Sequence, residues 1–196
     1  MHGLVNRSIQ NFVQDVYGVP LWSEIATQAG LDGDGFEAML TYEDTLTYAV
    51  IDMACARLNK SRSDFLEDLG TYLISHPNMW RIRRLLRFGG ADLVDFLESI
   101  GDLPDRARLA IPDFEVPTLR VEAVDPTNYV IDCENACDGV EHVMLGCLRA
   151  MADDYGALAI VQTVELPHRP NASAVEIMLL STSFAAGNSF MLTEGR

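Results

Sequence analysis

The chain has 196 residues, 48% of them apolar, enough to bury a core within one domain or two tightly packed halves. Its formal net charge is −15 at pH 7, so nucleic acid and anionic membrane surfaces would repel it. What remains is solubility, or an acidic docking face for a basic partner.

Apolar side chains at Leu4, Val5, Ile9, Phe12, Val13, Val16 and Tyr17 fall on one face of a helix over residues 4–17. Gly18 closes it and Pro20 blocks its continuation. A second short helix runs from Leu21 to Ala29 and ends at Gly30. The segment from Asp32 to Gly35 is a loop. It looks faintly like a calcium loop, but Phe36, Ala38 and Met39 fill the later ligand positions. Asp44 or Thr45 caps a helix to about Leu58, with Ala49, Val50, Met53 and Ala54 on its buried side. Ser61 or Ser63 opens the next helix, and Ser61 with Asp64 approximates a capping box. That helix runs to Ile74 and stops before Pro77.

Trp80 to Phe88 is a short helix holding four arginines. Arg81, Arg84 and Arg87 recur every three residues. Such a stripe either pairs with surface carboxylates of the chain itself or contacts an anion or partner. Gly89-Gly90 breaks the chain before a helix over 92–103, which Pro104 closes. After Pro112 the pattern changes. Thr118 to Val124 alternates as a strand does, Asp125 to Asn128 is a turn, and Tyr129 to Cys133 is a second strand. Val140 to Met151 returns to helical period. Ala157 to Leu166 and Val175 to Leu180 are two further strands, joined by a loop over 167–171. Residues 189–196 read as a tail. A helical half followed by β-β-α-β-β predicts an α+β fold, with a four-stranded antiparallel sheet and a helix against it. The expected organisation is one domain over 1–196, with a helical half over 1–75 and a sheet half over 76–196.

No apolar run approaches the ~20 residues of a membrane span, and the N-terminus lacks the pattern of a signal peptide. Four cysteines without framework spacing predict reduced thiols in a cytoplasm. A Gly-rich phosphate loop, a metalloprotease helix and a Ser-centred nucleophile elbow are all missing, so no enzyme is expected.

Several spaced marks accompany this element order. They are the opening Met1 to Asn6, Tyr17-Gly18 with Trp22, and Thr45 to Leu58 ended at Asn59. Phe65-Leu66 with Gly70, Phe96-Leu97, and Ile111-Pro112 with Pro117 complete the set. In order and spacing the chain resembles the heme–nitric oxide/oxygen binding (H-NOX, or HNOB) family, the sensor domain also found in soluble guanylate cyclase. The resemblance covers nearly the whole chain. It implies a helical half packed on a sheet half, with heme between them. It also implies three contacts to that heme. A histidine at the end of the signalling helix binds the iron, a Tyr-x-Ser-x-Arg motif binds the propionates, and a proline presses on the ring.

Two of these three contacts are replaced. Pro104 stands at the iron-ligand position, and proline has no lone pair to offer a metal. Cys133, Asn135 and Cys137 stand in the propionate motif. Pro117 keeps the ring-pressing position. Arginine binds a carboxylate through a charge-assisted bidentate pair, and cysteine cannot. Asp132, Glu134 and Asp138 add like charge, each costing up to about 4 kcal/mol at ~4 Å and an effective dielectric of about 20. Heme is therefore expected to be missing here, or bound atypically.

His2 and His76, which the resemblance puts on the distal side, are candidate substitute ligands. His142 and His168 read as solvated. Cys133 and Cys137 could ligate a metal, form a redox disulfide, or remain two reduced thiols. Cys55 and Cys147 read as core. Trp80, Phe88, Met144 and Met151 are large enough to fill an emptied pocket. Three functions stay open. The first is a gas-sensor domain that moves its 92–103 helix to act on a histidine kinase or cyclic-nucleotide enzyme. The second is a heme-free interaction or redox-responsive module. The third, a small-molecule enzyme, has no motif behind it.

Overall fold

The computed structural model describes residues 1–31, 33, 35–114, 117–134, 137–166 and 173–190. Asp32, Asp34, Asn135, His168 and residues 191–196 lie outside that set. The chain is α+β and divides into two compact units, Met1–Phe65 and Leu66–Arg196.

The first unit holds α1 (Gly3–Tyr17), α2 (Val19–Gln28), α3 (Asp44–Leu58) and the opening turn of α4 (Arg62–Ser75). Ile9, Phe12 and Val13 are buried, as the helical period predicts. The Phe12 and Phe65 rings meet edge to face at 5.3 Å. Two buried polar side chains are satisfied locally. Thr47 donates to the Asn6 side-chain oxygen at 2.7 Å, and Gln10 accepts the Phe36 N–H at 2.9 Å. Gly18 turns the chain at φ +96°, and α2 starts at Val19 rather than Leu21. Pro20 stops one helix and sits in the first turn of the next, where no backbone N–H is needed. The Asp64 N–H reaches Ser61 Oγ at 3.0 Å, which realises the cap expected for α4.

The second unit holds the rest of α4, then α5 (Trp80–Arg87), α6 (Leu93–Ser99), α7 (Leu103–Ala110) and α8 (Val140–Tyr155). Its strands are β1 (Thr118–Asp125), β2 (Asn128–Glu134), β3 (Leu158–Glu165) and β4 (Ser173–Ser181). They form one antiparallel sheet in the order β1-β2-β4-β3. Leu148 and Met151 of α8 pack into a core with Ile131, Val175 and Ile177 of the sheet and Phe96, Leu97 and Ile100 of the α6 region. At the β1–β2 turn, Asp125 accepts the Asn128 side chain at 2.5 Å and the Thr127 N–H at 2.8 Å. These bonds, the Asn128 side chain first, lower its carboxyl to about 2.

Two sequence expectations differ from the structure. First, the helix expected over 92–103 is three pieces: α6, a 3-10 turn over Ile100–Asp102, and α7. Pro104 opens α7 instead of closing a helix, for the same reason that Pro20 opens α2. Second, the start of the expected tail, residues 189–190, is tied down. Arg83 bonds the Ser189 carbonyl at 3.2 Å, and the Phe190 ring lies 5.1 Å from the Arg87 guanidinium. Just before it, the Asn188 N–H bonds the Asp154 carbonyl at 2.9 Å. The two units part at 65/66, within α4.

The physical cause of that division is a close helix crossing. Gly70 of α4 faces the Val143 carbonyl, and Gly146 of α8 faces the Glu67 carbonyl; a Cβ on either would overlap that oxygen. Cys147 Sγ lies 3.4 Å from the Gly70 carbonyl, and Arg149 pairs with Glu67 alongside. Gly146→Ala must push two backbones apart. It is expected to lower stability by about 1–3 kcal/mol in urea unfolding. Gly101→Ala, whose new Cβ meets nothing closer than 3.7 Å, should leave the midpoint nearly unchanged.

Candidate functional site

Pro104 is buried in the first turn of α7, between Leu103, which leans on the core, and an exposed Asp105. Its nitrogen is a tertiary amide and carries no donor pair for a metal. Contacts along the chain fix α7 in place. Arg106 donates to the Ser99 carbonyl at 2.8 Å, so a cation caps the C-terminal end of α6. The same side chain and Ser99 Oγ lie against Gly89, where a Cβ would overlap Ser99 Oγ. Gly90 is tied from the other side, its carbonyl accepting the Tyr155 hydroxyl at 3.0 Å.

Pro117, Cys133 and Cys137 lie toward one end of the β1–β2 pair. Pro117 immediately precedes β1 and is half-buried. Leu119 of β1 stands opposite Cys133 of β2, and the 3-10 turn before Pro104 lies beside the Leu119 carbonyl. The Cys133 thiol is pushed up to about 11 by burial first, then by Glu141 and Cys137. Cys133 and Cys137 are both free thiols. Glu134 pairs with Arg120 at 3.0 Å, and Asp132, opposite Arg120 in register, is buried. Arg120 reaches from the exposed face of β1. Asn135, the middle position of the motif, lies outside the described residues.

Two of the histidines, His2 and His76, act as helix caps. His2 Nδ1 accepts the Leu4 N–H at 3.2 Å at the start of α1. His76 Nδ1 accepts the Asn78 N–H at 3.4 Å, and its ring stacks on Tyr72 at 4.7 Å. His142 sits 3.6 Å from Glu141. Among the described residues, no group of three or more His, Cys, Asp or Glu is arranged to hold a metal ion.

The sequence pattern missed a second feature. Asp154, 3% exposed, gathers Arg83 at 2.9 and 2.8 Å and Asn188 at 3.1 Å. Arg87 lies 3.7 Å away, its guanidinium 3.9 Å from the Tyr155 ring centroid. The expected stripe of Arg81, Arg84 and Arg87 therefore resolves into two faces. Arg83 and Arg87, four apart, turn inward; Arg81 and Arg84 are directed away from Asp154. Trp80 and Phe88, expected as candidate pocket fillers, are 45% and 67% exposed, while Met151 is fully buried and Met144 packs on the core. Asp153-Asp154 ends an apolar helix where the dipole disfavours carboxylates, a cost that a cation partner offsets; the burial that fixes which partner is not local in the sequence.

A family model described as Haem-NO-binding matches residues 2–162. The chain is similar to soluble guanylate cyclase 89Da of Drosophila melanogaster, 22% identical over 160 residues, covering 82% of this chain and 24% of that protein. It is similar to soluble guanylate cyclase gcy-31 of Caenorhabditis elegans at 21% over 181 residues, covering 91% and 26%. The chain thus spans about a quarter of the length of these curated relatives. Among solved structures it is similar to the Fe(II) unliganded H-NOX protein from K. algicida, with TM-score 0.75, 19% identity and coverage of 91% and 96%. It is similar also to a single-residue mutant of the T. tengcongensis H-NOX protein, with TM-score 0.75, 17% identity and coverage of 93% and 99%. These likenesses show the expected fold.

The thiols give a test with a definite sign. Burial raises Cys147 to about 12 and is the main cause that raises Cys133 to about 11, from an ordinary 9.0. The folded state holds these protons more tightly. Their contribution to stability is complete below pH 9 and is lost as pH climbs through 11 to 12. At pH 8, iodoacetamide should modify Cys133 about 100-fold more slowly in the native protein than in urea. Cys147 should react only after unfolding. Peptide mass spectrometry reads both rates.

Proposed function

This chain belongs to the haem-NO-binding family, and we propose that it is a regulatory domain acting on a signalling partner without holding heme in the family's manner. The family is one of binding, and the domain is not an enzyme. The observation that carries the proposal is Pro104, buried in a helical first turn; the resemblance assigns that position to the family's iron-binding histidine.

The other end of the site supports the same reading. A propionate needs a charge-assisted donor, and Cys133 offers a protonated thiol. Glu134 and Glu141 stand near Cys133, and Arg120 is already engaged with Glu134. The residues present do not fit heme. Pro117 remains at the ring-pressing position. The raised Cys133 thiol also makes a poor thiolate, which favours an interaction module over a redox one.

In this reading α6 and α7 carry the signal, and packing sets their position in place of an iron–nitrogen bond. Leu103, Pro104 and Ala107 bury one side of α7, and Arg106 ties it to Ser99. The partner class is a histidine kinase or a cyclic-nucleotide enzyme. The second is favoured by curated relatives that are guanylate cyclases by name, with about three quarters of their length beyond the match. The setting is the cytoplasm, in keeping with free thiols. Among the described residues no helix is long and apolar enough to cross a membrane.

Hemin added to the purified full chain under reducing conditions should give no stoichiometric Soret band and no shift with nitric oxide. A one-to-one band that moves with nitric oxide would overturn the reading, and substituting His2, His76 and Cys133 in turn would then locate the ligand. Restoring both ends together (Pro104→His with Cys133→Tyr, Asn135→Ser and Cys137→Arg) should produce the band. Pro104→His alone should give a much weaker one.

A further inference from the structure

We propose that the outward stripe of α5 docks an acidic amphipathic segment of a partner protein. Trp80, Arg84 and Phe88, the last just past the helix end, recur every four residues and so share one stripe. Trp80 and Phe88 are 45% and 67% exposed. Arg81 flanks the stripe, its guanidinium 5.2 Å from the Trp80 ring centroid. The chain has 29 acidic residues against 14 basic ones. Even so, Arg81 and Arg84 meet no carboxylate within ion-pair distance among the described residues. An exposed basic and aromatic stripe on so acidic a chain is a local inversion of charge, and charge complementarity commits its occupant to acid.

The geometry supports docking along the helix. The two aromatics stand eight residues apart, about 12 Å along the axis, which matches apolar side chains two turns apart on a partner helix. An open cleft of about 420 Å³ beside Trp80, lined also by Ile74, Pro77 and Arg83 and by the carboxylates Asp153 and Asp154, has room for a partner's leucine rather than for one of its acids. The platform is already ordered. Arg83 and Arg87 anchor the inward face on Asp154, so docking need not order the helix first. The stripe also ends at Gly89-Gly90, against which Ser99, Arg106 and Tyr155 press. A shift of α6–α7 would be felt there. That coupling rests on the proposed signalling role of α6–α7; the docking itself does not.

A fluorescein-labelled helical peptide of about five turns is the probe, with two leucines two turns apart and glutamates between them. It is titrated into the full chain by polarisation. Binding should weaken with added salt, because a local cationic patch is attractive although the whole chain repels acid over a longer range. The double variant Arg81→Glu/Arg84→Glu should weaken binding about tenfold, and Trp80→Ala several-fold. Arg57→Glu, a charge reversal at one exposed arginine of the other unit, should leave it unchanged. Circular dichroism checks that each variant is folded. No binding by the wild type would sink the proposal, as would equal binding of the Gln-for-Glu peptide or an equal loss in Arg57→Glu. Binding to phosphatidylserine vesicles through Trp80 and Arg84, in preference to the peptide, would overturn it and assign the stripe to a membrane. A dimer in sedimentation that Trp80→Ala dissolves would overturn it in favour of a second copy. The hemin spectrum is read on the same samples, so the docking proposal and the heme-free reading fail independently.

Discussion

Asp154 is the carboxylate on which the helical face of the larger unit depends. Removing a carboxylate from water costs several kcal/mol, and only close cations and hydrogen bonds offset it. Here Arg83 of α5 donates a hydrogen bond, Asn188 donates a second, and Arg87, one turn further along α5, adds another cation 3.7 Å away. Two separate stretches of chain therefore converge on one side chain near the end of α8. Deleting it would strand two largely buried guanidiniums, a loss in the range of about 3–5 kcal/mol. With it in place, α5 has a fixed inward face, shared with Leu86 and Ile82 on the core, and Trp80, Arg81 and Arg84 are left exposed.

That division of α5 links stability to the exposed stripe. A helix of eight residues is too short to hold itself in water. Its order comes from the arginines that turn inward and from Leu86 and Ile82 on the core, and its outward chemistry comes from Trp80, Arg81 and Arg84. Tyr155 extends the same arrangement, with its ring beneath Arg87 and its hydroxyl on the Gly90 carbonyl. The buried charge cluster and the Gly89-Gly90 turn thus form one continuous contact, reaching from α8 through α5 to the start of α6.

Most elements were legible in the sequence because their signals are local. The apolar period located α1, α3, α4, α5 and α8, and alternation located the strands. The errors share one cause, which is that a residue type can mark two opposite things. Pro20 and Pro104 read as stops, yet each sits in a first turn, where its missing N–H costs nothing. Arg81, Arg84 and Arg87 read as one stripe at a spacing of three, whereas burial grouped Arg83 with Arg87 at a spacing of four. The Arg83–Asp154 pair joins residues 71 apart, and no window of sequence reports that. At the candidate site, the positions Pro104, Cys133 and Cys137 were named by resemblance alone. The raised Cys133 thiol was not legible, because its burial comes from the register with Leu119 and from the approach of α8.

The family's logic, as the resemblance gives it, ties a signalling helix to a metal, so that a change at the metal moves the helix. By the same resemblance Pro104 stands where that tie would be, and the contacts that hold α7 are of a different physical kind. Burial of Leu103, Pro104 and Ala107 is non-directional, and the Arg106–Ser99 bond is a single charge-assisted contact at a helix end. Packing of this kind yields to any neighbour that presses on it, whereas a metal–nitrogen bond yields to chemistry at the metal. An α6–α7 element held this way is set by what touches it, namely the Gly89-Gly90 turn, α5 beyond it, and whatever docks on α5. On the proposed heme-free reading, control of the domain would pass from an interior site to its surface.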